Sequence, residues 1–228
     1  MTTIRPIPSL RSLVLPLALA ATPLSALAWP KLTIPTTALQ ADAVQAFSGD
    51  ALGAFELAEI TIKPVGQASV TSGLAGAFTL PVTSITIDGL KVVGGKATGA
   101  GLRFERYNWE NDSTQVVTLA NFRIDFNTHV IHADAFPQGG TPKSDAPIFQ
   151  FREQTALAIK YQFPLSISAH QTLDKLFLTP AARTIFTDGL QLDPVMSAPL
   201  EVIDFGEIRI AVDVKLRKKP VSSKPYRP

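Results

Sequence analysis

Cysteine is absent from the 228-residue chain. That absence excludes disulfides, thiol catalysis, thiolate-held zinc and iron–sulfur clusters. Histidine is almost as scarce: His129, His132 and His170 are the three in the chain, which narrows acid–base chemistry and metal binding. Recognisable catalytic strings are missing too. There is no Gly-x-Ser-x-Gly elbow, no His-Glu-x-x-His pair and no Walker-type phosphate loop. Beyond the first residues, no apolar run is long enough to span a bilayer as a helix.

What is present begins with a leader pattern. Met1 to Arg11 carry Arg5 and Arg11 and no acid. Leu13 to Ala21 form a short apolar run, and Ala26-Leu27-Ala28 supplies the small-x-small string read by signal peptidase. The run is about half of the roughly 20 residues needed for a membrane span. Pro16 and Pro23 also suit an h-region better than a stable helix. The expectation is a signal peptide over 1–28, a β-rich domain over 29–217 and a basic tail over 218–228. An uncleaved anchor is the alternative.

Charge divides unevenly along the chain. The whole has 21 basic and 19 acidic residues. The leader removes two basic ones, leaving a formally neutral mature chain. Lys215, Arg217, Lys218, Lys219, Lys224 and Arg227 form a basic end without acids. The remaining body, 29–214, is therefore net negative, which excludes a nucleic-acid-binding body. From Lys218 on, lysine and proline dominate, and that composition predicts disorder. Such a tail could touch an acidic envelope polymer or an anionic membrane surface.

Hydropathy patterning predicts a mainly β fold: an antiparallel β-sandwich or β-roll with one or two short helices. Ile60/Ile62, Phe78/Leu80, Val116 to Phe126 and Ile208/Ile210/Val212/Val214/Leu216 read as strands. Leu157 to Ile167 keep period two over eleven residues, with Pro164 arguing for an edge strand or a break. Trp29 to Thr37 reads as an extended lead-in. Residues 41–55 place Val44, Phe47, Ala51, Leu52 and Phe55 at helical spacing, interrupted at Gly49. Thr179 can cap a helix that begins at Pro180 and ends at Gly189. Residues 108–115 and 137–147 are loops by composition.

An internal similarity joins Ile85/Ile87/Leu90/Val92 to Val117/Leu119/Phe122/Ile124. Both alternations skip one residue, at Asp88-Gly89 and at Ala120-Asn121. A β-bulge at each is the structural reading, since Gly and Asn tolerate left-handed angles. Either a duplicated unit or coincidence accounts for it.

Candidate site residues are few. The stretch 104–112 carries Glu105, Tyr107, Trp109 and Glu110, aromatics mixed with carboxylates. Such loops bind sugars, haem or a partner, or else pack back on the sheet. His132 and Asp134 share a strand face and could both touch one metal ion, whereas His129 and His132 point apart. His170 reads as a capping or surface residue before a helix.

Several strings together resemble the HtaA-type domain family of exported bacterial proteins. They are Ile62-Lys63-Pro64-Val65-Gly66, Gly76-Ala77-Phe78-Thr79-Leu80-Pro81-Val82, Gly99-Ala100-Gly101-Leu102-Arg103-Phe104 and Val117 to Asp125, with Leu178-Thr179-Pro180-Ala181-Ala182 later. The resemblance implies an all-β exported domain, often surface-associated. The residues themselves call for no cofactor; the resemblance adds haem as a candidate, since some such domains bind it through a tyrosine in a Trp…Ser-Phe-Arg-x-x-Tyr motif, with a histidine in support. This chain lacks that motif and has no histidine in 99–102. No ligand residue carries over, and Tyr107 is only the nearest tyrosine to a suitable loop.

Three functions follow. The first is a non-enzymatic binding or structural protein in the periplasm, at the cell surface or outside the cell. The second is a small-ligand carrier, with haem the leading candidate. The third is a hydrolase acting on envelope polysaccharide through paired carboxylates. A side-chain-filled core favours a structural role, a pocket with facing carboxylates the hydrolase, and a Soret band with hemin the haem carrier.

Overall fold

The computed structural model describes residues 31–88, 91–155, 158–162 and 166–228. The leader lies outside them. The strands are β1 (Leu32–Pro35), β2 (Leu39–Ala46), β3 (Ile60–Gly66), β4 (Ser69–Val70), β5 (Ala77–Pro81), β6 (Ser84–Asp88), β7 (Lys91–Asn108), β8 (Ser113–Asp125), β9 (Val130–Pro137), β10 (Lys143–Glu153), β11 (Ala158–Gln162), β12 (Ser166–Leu178) and β13 (Glu207–Leu216). Three short helices accompany them: α1 (Gly49–Leu57), α2 (Pro180–Gly189) and α3 (Pro194–Ser197). No described helix is long and apolar enough to cross a membrane.

All described pairings are antiparallel and belong to one sheet, ordered β1-β6-β7-β8-β9-β10-β12-β13-β2-β5-β4, with β3 on β7 and β11 on β12. The long strands change partners along their length. One edge of β7 pairs with β6 over Lys91–Lys96 and then with β3 over Ala100–Arg106. β12 pairs with β11 at one end and β10 at the other. Register shifts at Ala97/Gly101 in β7 and Ala120/Arg123 in β8 add local twist. The sheet therefore curls on itself as a roll rather than splitting into a two-sheet sandwich.

Two helices fill one end of the roll. Phe55 from α1 and Phe186 from α2 both meet Phe104, with ring centroids at 5.9 and 4.9 Å. Phe47 and Phe205 extend the cluster around Phe55. Edge-on and tilted rings of this kind pack densely, and each buries a large apolar area. α2 begins as expected: Thr179 Oγ1 accepts from Ala182 N at 3.1 Å and donates to the Pro147 carbonyl at 2.6 Å. Thr179→Ala is expected to cost about 0.5–2 kcal/mol, the range for a lost N-cap, read as a lower urea midpoint with an unchanged slope.

Several expectations are corrected. Residues 41–46 are strand, not helix, and the helix starts only after Ser48, whose hydroxyl accepts from Ala51 N at 3.0 Å. The inward set is Ala41, Ala43 and Gln45, too small or too polar to show period two. Asp88 of β6 pairs with Lys91 of β7. The skip at Asp88-Gly89 thus falls between β6 and β7 rather than within one strand as at Ala120-Asn121, and Gly89 and Leu90 lie outside the described residues. The skip at Ala120-Asn121 is a bulge, with Asn121 at φ 56°. Residues 143–147, expected as loop, are strand. His170 caps no helix but lies inside β12, opposite Ala211, where it is exposed, the surface position that is the other expectation. His129, at φ 54°, sits in the turn before β9 rather than on a strand. The run from 157 to 167 is divided between two paired strands, β11 and β12, with Tyr161 opposite Ile167 in register. Pro164 itself lies outside the described residues.

The basic tail is not free. Val221 N donates to Thr37 O at 3.0 Å and Tyr226 N to Asn121 Oδ1 at 2.7 Å. Ser222 is held by both ends of the Gln67 amide, at 2.5 and 2.7 Å. The tail is thus a strap laid along the β3–β7–β8 region through main-chain bonds, which its composition does not reveal.

Ion pairs tie neighbouring strands on the outside. Arg152 donates to both carboxylate oxygens of Asp174, at 3.1 and 2.9 Å. That bidentate bond holds the Asp174 carboxyl below its ordinary range. The folded carboxyl then titrates below the unfolded one. Its contribution is complete above roughly pH 4 and is lost as pH falls further. Asp174→Asn is expected to flatten the acid limb of a stability-against-pH curve, leaving less difference between the proteins at pH 2 than at pH 6.

Candidate ligand-binding cavity

The end of the roll opposite the helices is not filled. An apolar cavity of about 340 Å³ lies between a wall of β2, β12 and β13 and a facing wall of β6, β7 and β8. Ligand sites commonly run from roughly 300 to 1,000 Å³. Register fixes the first wall in rows. Leu173, Ile208, Gln45 and Phe78 stand side by side, nearest the aromatic cluster. Gln171, Ile210, Ala43 and Leu80 form the next row, then Ala169, Val212, Ala41 and Pro81/Val82. Across the gap stand Phe122, Ile124, Phe126 and Ile131. At the open end Ile34 is exposed, and Ile87, Val92 and Phe126 are only partly buried.

The space exists because the walls use small residues. Ala43, Ala97 and Ala169, with Gly94 and Gly95, line it and project little or no side chain into it. The polar lining is sparse. Thr36 Oγ1 donates to the Val82 carbonyl at 2.7 Å. Gln171 Nε2 donates to Glu153 Oε2 at 3.0 Å. Lys96 is exposed at the rim. Gln45 is different: it is 3% exposed, and its Nε2 has no hydrogen-bond partner. Leaving such a donor unpaired costs about 1–3 kcal/mol. No carboxylate and no tyrosine, histidine or methionine stands among the described lining residues.

The residues singled out from sequence lie elsewhere, on the outer face. Tyr107 and Trp109 meet edge to face with centroids at 4.5 Å. The Tyr107 hydroxyl donates to Asp112, and this bond pushes its pKa up. Trp109 is 74% exposed and its Nε1 donates to Glu59 Oε2 at 2.6 Å. Glu105 is bridged by Lys63 at 2.5 Å and Arg103 at 2.7 Å. Lys63, more than the Arg103 charge, holds the Glu105 carboxyl below its ordinary range. Glu110 is exposed in the turn and bonds through its own N–H to Asn108 Oδ1 at 3.0 Å.

His132 and Asp134 do share the outer face of β9. Asp134 spends one carboxylate oxygen on Asp145 N at 2.9 Å and the other on Asn121 Nδ2 at 2.8 Å. His132 Nδ1 lies 3.1 Å from the Asp145 carbonyl. Among the described residues no group of three histidines or carboxylates could hold a metal ion.

Asn121 is the hub of that face. Its Oδ1 accepts from Gly99 N at 2.9 Å and Tyr226 N at 2.7 Å. Its Nδ2 donates to Asp134 and, at 3.0 Å, to the Tyr226 carbonyl. Gly99, at φ 82°, approaches Gln67 and the Lys224 carbonyl too closely for a Cβ. The strap therefore docks on a bulge that only small or left-handed-tolerant residues can form.

No protein-family model matches the chain, and no curated protein matches it. Solved structures do match. The crystal structure of the C-terminal domain of HtaA from Corynebacterium glutamicum is 13% identical, with a TM-score of 0.50, covering 78% of this chain and 99% of that domain. The structure of the haem-binding protein HtaB from the same organism is 8% identical, with a TM-score of 0.45, covering 82% and 98%. The likeness to the HtaA domain lies in architecture, and the chain is an HtaA-like β domain in its fold.

Proposed function

We propose that this chain is an exported, non-enzymatic binding protein that carries a small apolar ligand in the open end of its roll. The observation that carries the reading is the cavity of about 340 Å³, walled by apolar side chains and reached past half-buried rim residues. A structural role would favour a filled core, since interiors normally pack without voids of this size. A polysaccharide hydrolase would need facing carboxylates, and the described lining offers none.

Haem is the ligand that the HtaA-type resemblance implies, and the lining allows a test of fit. Haem iron takes histidine, tyrosine, methionine or cysteine as axial ligand. None of these is among the described residues of the cavity wall. Tyr107 lies on the outer face, and its bond to Asp112 disfavours the phenolate. The described residues do not fit axial ligation, so the ligand assigned here is apolar and iron-free.

The exposed Lys215, Lys218, Lys219, Lys224 and Arg227 would hold the carrier near an acidic envelope polymer or an anionic membrane, each contributing about 1 kcal/mol near such a surface.

Titration with the neutral fluorophore N-phenyl-1-naphthylamine tests the cavity. A saturable fluorescence rise at one equivalent is the expected result. No rise would overturn the reading, and a sharp Soret shift with hemin that Tyr107→Phe abolishes would replace it with outer-face haem binding.

A further inference from the structure

We propose that Gln45 anchors the ligand by donating a hydrogen bond from its carboxamide Nε2 to a neutral acceptor oxygen, so that the cargo is a long apolar molecule bearing a ketone, ester or quinone carbonyl. This assignment rests on the reading of the cavity as a ligand site. It starts from an anomaly in the wall. Every other described position in the row Leu173–Ile208–Gln45–Phe78 is apolar and buried. Gln45 is buried to the same degree and stands in the cavity wall, yet its amide nitrogen has no partner and must turn about the last side-chain bond to reach the cavity surface. A buried donor without a partner is uncommon in native folds and calls for an explanation. Gln171, one row nearer the mouth, needs none, because its amide nitrogen already donates to Glu153.

Depth and charge define the acceptor. Gln45 lies four residues along β2 from Ala41, about 13 Å deeper at roughly 3.3 Å per residue. An ionised carboxylate carried to that depth would need a partner cation. The one cation on the described lining, Lys96, is exposed at the rim. A neutral carbonyl oxygen satisfies the amide without stranding a charge. The remaining apolar length of the ligand then lies along Ala43, Ile210 and Val212 toward the open end.

The test compares the wild-type chain with Gln45→Leu, a variant of similar size that removes the donor. Bound N-phenyl-1-naphthylamine is displaced with a long-chain alkane, the methyl ketone of equal length and the fatty acid of equal length. The expected result is a ketone affinity about tenfold weaker in Gln45→Leu, the loss of one hydrogen bond in a dry site. Alkane affinity should be unchanged or slightly tighter. Gln45→Met guards against a folding defect and should behave like Gln45→Leu. Equal ketone affinity in wild type and both variants overturns the anchor while leaving the cavity reading intact. So does preferred binding of the fatty acid at a pH where it is ionised. Failure of the fluorophore to bind any of the proteins overturns the cavity reading and the anchor together.

Discussion

Ala43→Phe is expected to lower affinity for apolar ligands at least about 100-fold, a loss of nearly 3 kcal/mol, without unfolding the protein. Ala43 is 5% exposed and stands in the middle row of the wall, between Ile210 of β13 and Leu80 of β5. A benzyl group there points into the cavity and occupies the space a ligand would take. In a tightly packed core the same substitution would cost about 1–3 kcal/mol through overpacking. Here the void absorbs the ring, so the melting temperature should stay level or rise. Fluorophore titration and calorimetry on one preparation separate the outcomes. Unchanged affinity would show that binding occurs elsewhere. Lost affinity with a falling melting temperature would show that the wall has no room.

Asn121→Leu carries the largest expected stability loss. Asn121 adopts φ 56° and spends its amide on four bonds, to Gly99, Asp134 and both main-chain groups of Tyr226. Leucine in the left-handed region costs about 1–2 kcal/mol. Each lost bond adds about 0.5–1.5 kcal/mol, less where water replaces it. A total of about 4 kcal/mol follows, lowering the melting temperature by about 10 °C for a domain of this size. Asn121→Gly keeps the backbone angle and should lose about half as much. Two of the bonds reach the strap, so removal of residues 221–228 should make Asn121→Leu less costly in that background. Equal costs in both backgrounds would show that the strap contributes nothing at this position.

The strands that pack large side chains were legible in the sequence. Ile208 is buried, and Ile210 and Val212 face the interior from β13, as their alternation predicts. The start of α2 was legible because Thr179 and Pro180 carry local capping chemistry. The bulge at Asn121 was legible too, as a skipped beat beside a residue that tolerates positive φ. The strand 41–46 was not. Its inward residues are Ala41, Ala43 and Gln45, and alanine carries little periodic signal. That failure and the cavity have one cause. Small residues leave the void, and small residues also erase the hydropathy pattern that would mark the wall. The single available hint was Gln45, a long polar residue between Val44 and Phe47 in an otherwise apolar stretch.

The outer-face candidates were chosen by composition, and composition does not give the face on which a side chain lies. Glu105 and Tyr107 are on β7 at odd positions, while Leu102 and Phe104 at even positions line the inside. A one-residue change of register would exchange the two sets. The tail illustrates the same limit. Its lysines and prolines describe what it cannot bury, but Val221, Ser222 and Tyr226 are held through their main chain, which no composition reports.

A crystal of the chain equilibrated under xenon pressure tests the central claim most directly, because dry apolar cavities take up xenon. The expected result is at least one xenon site among Ala43, Phe122, Ile131 and Ile210. A wall collapsed to contact, with no xenon between β2 and β8, would contradict the account.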